Sequence, residues 1–308
     1  MSYFLGVDAG GTKTEFLLGN DEQQLARTCV GSIKRMRVSA EEARANLCQA
    51  LSELEQQSGV APSAIAHTCI GAAGSTVALV TDWLRAAFGE LVGGGLTITN
   101  DVEIALDGVF HGGRGLLVLA GTGSNYAART RSGEILRTGG WGPALGDEGS
   151  GYWIGVTGLR FCFQALNERR TTTMLDAALQ HWNLQAIPDL VAYAHRQPAP
   201  DFSQLAPLFV ACAEHGDPLA GTLMQQAGQQ LARQTLLLME QMLEAEGAQA
   251  GPPPAVACIG SVLVKARPVR EAFEQTLHAH DSAIHVVQEA ADAAAGALWR
   301  ARLAVQHS

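Results

Sequence analysis

Tyr3-Phe4-Leu5-Gly6-Val7-Asp8-Ala9-Gly10-Gly11-Thr12-Lys13-Thr14 is the stretch on which the fold turns. A short apolar run, residues 3–7, ends in an aspartate and two glycines, and strand character resumes at 14–18 and 25–30 across an Asn20-Asp21 turn. β-formers punctuated in this way read as a strand, a tight turn and a hairpin. The pattern comes back once. Residues 116–120 run into Gly121-Thr122-Gly123-Ser124, after which polar strands at 125–131 and 134–137 flank a Ser132-Gly133 turn. A unit that repeats at this length implies two related half-molecules.

The rest of the chain fits an α/β protein. Ala40–Ser58 carries Ala43, Leu47, Ala50, Leu51 and Leu54 at helical spacing, with Ser39 as N-cap and Gly59 as stop. Residues 65–70 read as a buried strand, 76–88 as a helix, and 96–99 as a strand that delivers Asn100 and Asp101 at its carboxyl end. His111-Gly112-Gly113-Arg114-Gly115 marks a boundary, giving domains of residues 1–113 and 114–308, with the last helix free to pack back on the first domain. The second part is mostly helical by periodicity, at 152–168, 172–182, 202–215, 218–245, 268–280 and 289–305, broken by strands at 255–259 and 283–287. Gly251-Pro252-Pro253-Pro254 reads as a rigid loop feeding the first of those strands.

Size and composition narrow the function. At 308 residues the chain exceeds one compact core, so two domains with a cleft between them are expected, and the cleft is the natural place for chemistry. With 47% apolar and 17% charged residues it has material for real cores. A formal net charge of −9 repels a phosphate backbone, which argues against nucleic acid as a partner. Cys29, Cys48, Cys69, Cys162, Cys212 and Cys258 form no CxxC pair and no Cys/His cluster, and read as buried small hydrophobes in a reducing cytoplasm. The opening MSYFLGVD has no basic segment followed by a long apolar stretch, and the longest apolar runs fall short of the about 20 residues that cross a bilayer. A soluble cytoplasmic protein with no membrane partner is expected, and a homodimer is a reasonable prior.

Four places carry chemistry. In the first, glycines let the backbone approach an anion, and the N–H groups of Gly10, Gly11, Thr12, Lys13 and Thr14 with the Thr12 hydroxyl can hold phosphate oxygens while Asp8 faces a metal. The second turn, Gly121, Thr122, Gly123, Ser124 and Asn125, offers the same donors at the same point of the second half, and two matched turns make a phosphate clamp. No GxxxxGK[ST] occurs, so the P-loop mode is excluded. Third, Asp101 ends a strand where a carboxylate can orient an attacking hydroxyl and accept its proton; it reads equally as the cap of the following helix. Fourth, Gly139 to Trp153 sets Asp147 and Glu148 among glycines; Asp147 reads as a contact to a hydroxylated ligand, and Glu148 as favourable at a helix N-terminus. Gly260-Ser261 is either a seat for adenine or a plain strand-to-helix turn.

With these residues in place the sequence resembles the N-acetylglucosamine kinase family, within the wider BadF/BadG/BcrA/BcrD-type group of glucosamine kinases and activating ATPases of benzoyl-CoA reductase. The likeness runs nearly end to end, through DAGGTKTE, TNDVEIAL, AGTGSN, GGWGPALGDEGSGYWIG, HGDPLA and GSVLVKA. It implies a duplicated actin-like (ribonuclease H-like) fold, two domains around a cleft with ATP and Mg²⁺, the metal near Asp8 through water. It implies Thr12 and Thr122 at phosphates and Ala206 and Ser261 at the nucleoside. It further implies Asp101 as catalytic base, and Ser124, Asn125, Gly140, Trp141, Gly142 and Asp147 at a small amino sugar, with transfer to the C6 hydroxyl.

The sequence departs from the family in one place. Where relatives carry a sugar-binding asparagine, this chain reads Ser32-Ile33-Lys34-Arg35-Met36-Arg37, with Lys34 at the asparagine's position. The stretch reads either as a solvated surface or as Lys34 and Arg35 pairing with the lactyl carboxylate of N-acetylmuramic acid. Two rivals belong to other classes. A partner-activating ATPase would need closely spaced cysteines for an iron–sulfur cluster, which the sequence lacks. A sugar-sensing repressor would need an added DNA-binding domain, whereas strand character begins at Tyr3.

Overall fold

The computed structural model describes residues 2–72, 75 and 77–306. The chain divides into two compact units, Met1–Gly113 with Ala291–Ser308, and Arg114–Ala290.

In the first unit the opening stretch forms β1 (Tyr3–Ala9), β2 (Lys13–Asn20) and β3 (Gln24–Gly31), an antiparallel meander. Asn20 makes the second turn by accepting the N–H groups of Glu22 and Gln23 at 2.9 and 2.8 Å. α1 (Ala40–Ser58) has the expected ends: Ser39 accepts the Glu42 N–H at 3.1 Å, and Gly59 turns left-handed at φ 71. β4 (Ile65–Ala72), α2 (Ala78–Leu91), β5 (Gly95–Thr99) and α3 (Asp101–Phe110) follow. The expected helix from 76 thus starts at Ala78, its first residue lying outside the described residues. The sheet runs β3-β2-β1-β4-β5, with β1, β4 and β5 parallel. Such strands need cover on both faces. One face packs Leu5, Val7, Phe16 and Ile70 with Leu47, Leu84 and Phe88 of the helices.

The second unit repeats the plan with β6 (Gly115–Ala120), β7 (Ser124–Arg129) and β8 (Ile135–Gly139). α4 (Gly151–Asn167), α5 (Thr173–His181), α6 (Ile187–Ala194), α7 (Ala206–Glu214) and α8 (Pro218–Glu246) come next. They are followed by β9 (Val256–Ile259), α9 (Ser261–Lys265), α10 (Arg267–His280) and β10 (Val286–Ala290). The sheet order is β10-β9-β6-β7-β8, the first sheet's order with each strand replaced by its counterpart. Leu116, Val118, Tyr126, Phe209, Leu231 and Phe273 lie at its core.

α11 (Ala293–Gln306) belongs to the first unit and covers the sheet's other face. It rests on β1 where Gly6 has no side chain; a Cβ there would meet the Leu298 Cα at 2.8 Å and collide with other α11 backbone atoms. Arg300 reaches from α11 to Asp107 of α3, whose side chain is fully buried, and to Glu103 at 3.1 Å.

Several expectations need correction. The last strand lies at 286–290 rather than 283–287, because Val286 and Ala290 pair with Val256 and Cys258 of β9. The last helix accordingly starts at Ala293 instead of 289, with Asp292 accepting the Ala295 N–H at 3.0 Å. The helix expected over 202–215 is a 3₁₀ turn, Phe202–Leu205, and then α7, with Pro207 in the first turn of the new helix. α6 has no counterpart in the sequence reading, and α9 follows the Gly260-Ser261 turn as one of its two readings has it. Cys69, Cys162 and Cys258 are buried, but Cys29 and Cys48 are exposed, on the outward positions of β3 and α1. Among the described residues, no helix is long and apolar enough to cross a membrane.

Candidate active site

β1 ends at the first glycine turn. A Cβ on Gly10 would lie 2.7 Å from the Lys13 carbonyl oxygen, so glycine is what lets this turn close. Gly11, Thr12 and Lys13 are exposed. Thr14 is not: it is wholly buried, and its hydroxyl accepts the Ile33 N–H at 3.1 Å. Its side chain ties the turn to the loop behind β3. Lys13 is ion-paired with Glu15, which also pairs with Arg27 at 2.7 Å.

Asp8 faces Glu15 across the β1–β2 ladder. Burial, reinforced by the charges of Asp101 and Glu15 and opposed by Lys13 and Lys34, pushes its carboxyl from 3.8 up to about 6. Asp101 opens α3 just beyond β5. The cap itself is Asn100, whose side-chain oxygen accepts the Val102 N–H at 3.0 Å. Asn100 therefore spends that oxygen on the helix, and Asp101 stands one residue inside, where the N-terminal dipole favours a negative charge.

The loop after β3 carries the basic stretch. The Ser32 hydroxyl donates to the Gly10 carbonyl at 3.0 Å, and the N–H groups of Arg37 and Val38 both donate to the Lys34 carbonyl, at 2.8 and 3.1 Å. Arg35 donates to the Val38 carbonyl and so closes its own turn. Arg37, which the sequence did not single out, lays Nε 3.8 Å from where a Cβ on Gly11 would stand. Lys34 is half-buried; desolvation holds its ammonium below the usual lysine range, against the opposing pull of Asp101 and Asp8.

In the second unit the Gly121 and Thr122 carbonyls accept the N–H groups of Gly151 and Tyr152 at 2.8 and 3.1 Å, fixing the second glycine turn to the start of α4. Gly121, Thr122, Ala206 and Ser261 line one cavity of about 320 Å³, with Val210 and Val262 as apolar walls and Glu214 and Lys265 also on its lining. Gly260 does not line it. Its φ of 97 and its close approach to Ala120 and Gly121 make it the strand-to-helix turn that presses β9 onto the glycine turn.

Asp147 is 7% exposed at φ 64, a left-handed backbone unusual for a residue with a side chain. Burial raises its pKa, while the N–H groups of Ser124 and Gly142 donate to its carboxylate and act the other way. The Ser124 hydroxyl donates to the Glu148 carbonyl at 3.2 Å, so serine, aspartate and the glutamate backbone form one knot. Gly140 is glycine for a similar reason: a Cβ there would stand 3.0 Å from the Asn125 carboxamide carbon. Trp141 is 72% exposed beside this knot and presents an open aromatic face.

The described residues include no group of three or more His, Cys, Asp or Glu side chains that could hold a metal by themselves. A half-buried carboxylate crowded by like charge, such as Asp8, still suits Mg²⁺, which commonly takes one or two protein carboxylates and completes its shell with phosphate and water.

Residues 5–301 match the BadF/BadG/BcrA/BcrD ATPase family. An N-acetylmuramic acid/N-acetylglucosamine kinase of Clostridium acetobutylicum is 26% identical over 310 residues, 98% of this chain and 99% of that protein. A crystal structure from Chromobacterium violaceum, proposed to be an N-acetylglucosamine kinase, matches at TM-score 0.73 and 26% identity over 97% of this chain and 98% of that one. A ROK hexokinase from Thermus thermophilus shares the fold at TM-score 0.61 and 18% identity, covering 99% of each chain. The fold is the duplicated actin-like one.

Proposed function

Since the chain belongs to the BadF/BadG/BcrA/BcrD ATPase family, we propose that it is an ATP-dependent carbohydrate kinase whose acceptor is the C6 hydroxyl of an amino sugar of the N-acetylglucosamine type. The observation that carries this reading is the meeting of Asp8, Asp101 and the first glycine turn in one unit, with Asp8 held by burial and by Asp101 at about 6.

In the reaction, the sugar oxygen forms a bond to the γ-phosphorus while the bond from that phosphorus to the β–γ bridging oxygen breaks. ADP leaves with the electron pair, and Asp101 takes the hydroxyl proton. The N–H groups of Gly11 and Thr12 and of Thr122 and Gly123 fit phosphate oxygens, while those of Gly10 and Gly121 donate to the Asp8 and Gly123 carbonyls at 3.2 and 2.9 Å and close the turns. The cavity beside Ala206 and Ser261 fits the nucleoside. Mg²⁺, held by Asp8 through water, would neutralise charge on the phosphates. Asp147, kept in place by Ser124 and Gly142, accepts from sugar hydroxyls.

The relatives' names support the amino sugar. The test is ADP release from purified protein, ATP and Mg²⁺ with and without N-acetylglucosamine or glucosamine. Release that depends on the sugar supports the reading; equal release without any sugar favours an ATPase that acts on a partner.

A further inference from the structure

Resting on that reading of the site, we propose that Lys34 is a receptor for a carboxylate on the acceptor, so that the preferred substrate is an acidic amino sugar: a hexosamine whose ring carries a carboxylate-bearing ether.

The loop bearing Lys34 is fixed to the first glycine turn. Ser32 donates to Gly10, the Lys34 N–H donates to the Ser32 hydroxyl at 3.2 Å, Ile33 is fully buried against β2, and Asn46 of α1 donates to the Ser32 carbonyl at 2.9 Å. A lysine on such a loop is placed, not free to wander. The three cations of the loop are also divided by geometry. Arg35 closes its own turn, Arg37 lies over Gly11 on the phosphate side, and Lys34 is half-buried with Asp101 as the foremost negative charge acting on it and Asp8 behind.

A half-buried ammonium on a loop fixed in this way is costly to leave without a counter-ion of its own, and the acceptor is where one can be supplied. The hydroxyls of a neutral amino sugar cannot do this. A carboxylate can, through a charge-assisted hydrogen bond. With Arg37 on the glycine turn for the phosphates, Lys34 is left for the acceptor.

The test compares N-acetylmuramic acid with its methyl ester, which removes only the charge, using the full chain with ATP and Mg²⁺. For the wild type, kcat/KM for the acid should exceed that for the ester by roughly tenfold to a hundredfold, the range of a hydrogen bond to a charged group. In Lys34→Met that ratio should fall to about one, and Lys34→Arg should keep part of it. A wild-type ratio near one overturns the proposal and does not depend on any variant folding. So does Lys34→Met that slows acid and ester alike, which would move Lys34 to the phosphates. Turnover of N-acetylglucosamine with no preference for the acid sinks this inference alone; no turnover of any sugar sinks the kinase reading with it.

Discussion

Asp147 lies against Gly123: a Cβ on that glycine would stand 2.7 Å from Asp147 Oδ2. The glycine of the second turn is thus a condition for the aspartate's position, and two motifs 24 residues apart in the chain are one structural element, as the Ser124 to Glu148 hydrogen bond also shows. Gly123→Ala should push the carboxylate out of its place between Ser124 and Gly142. We expect a loss of about 1–3 kcal/mol in stability and a fall in kcat/KM for sugar larger than any change in ATP affinity. Steady-state kinetics with a urea melt would check this; unchanged sugar kinetics would detach Asp147 from the acceptor.

Asp101→Asn keeps the shape of the first helical residue and removes the base. Turnover should drop by about 10²–10⁴ with ATP binding by calorimetry nearly intact. Loss of ATP binding instead would move Asp101 out of the role of base.

The Asp8 carboxyl, raised from 3.8 to about 6, makes a prediction about pH. The folded chain retains a proton that the unfolded chain releases between those values. This contribution to stability is complete below pH 3.8 and is lost as pH rises through 6. In protein free of metal and nucleotide, Asp8→Asn should therefore gain on the wild type by up to about 3 kcal/mol between pH 4 and pH 7. Urea midpoints of the two proteins across that range give the answer; a constant difference would contradict it.

Val210 lines the nucleoside-sized cavity from α7. Val210→Trp should fill it, weakening ATP binding by about tenfold or more, equivalent to about 1.4 kcal/mol, while the melting temperature stays near that of the wild type. Normal ATP affinity would place the nucleoside elsewhere.

Arg300→Met removes the guanidinium from fully buried Asp107 and loosens α11 from α3. Breaking a buried pair on one side should cost about 3 kcal/mol, read from chemical denaturation.

Much of this was legible in the sequence because it is local. Ser39 and Gly59 bound α1 where their cap chemistry says, and the recurrence of the glycine turn foretold two sheets of the same order. What was not legible depends on distant partners. The strand expected at 283–287 sits at 286–290 because β9 lies beside it there, while residues 289–305 on their own read as helix. Thr14 and Arg35 have the residue types of ligand contacts but spend them on Ile33 and Val38. Arg37 gave no local sign that it would fold over Gly11. In the cavity, Ala206, Val210 and Glu214 recur every fourth residue along α7, a spacing that could have been found had the helix start at Ala206 been known.

The central claim is phosphoryl transfer to an amino sugar. The most direct measurement is phosphorus–proton correlation NMR of a reaction of the wild-type chain with ATP, Mg²⁺ and N-acetylglucosamine, glucosamine or N-acetylmuramic acid. The account predicts a new phosphomonoester coupled to the C6 protons of the sugar, equal in amount to the ADP formed. ADP with no sugar phosphate for any of the three would contradict it.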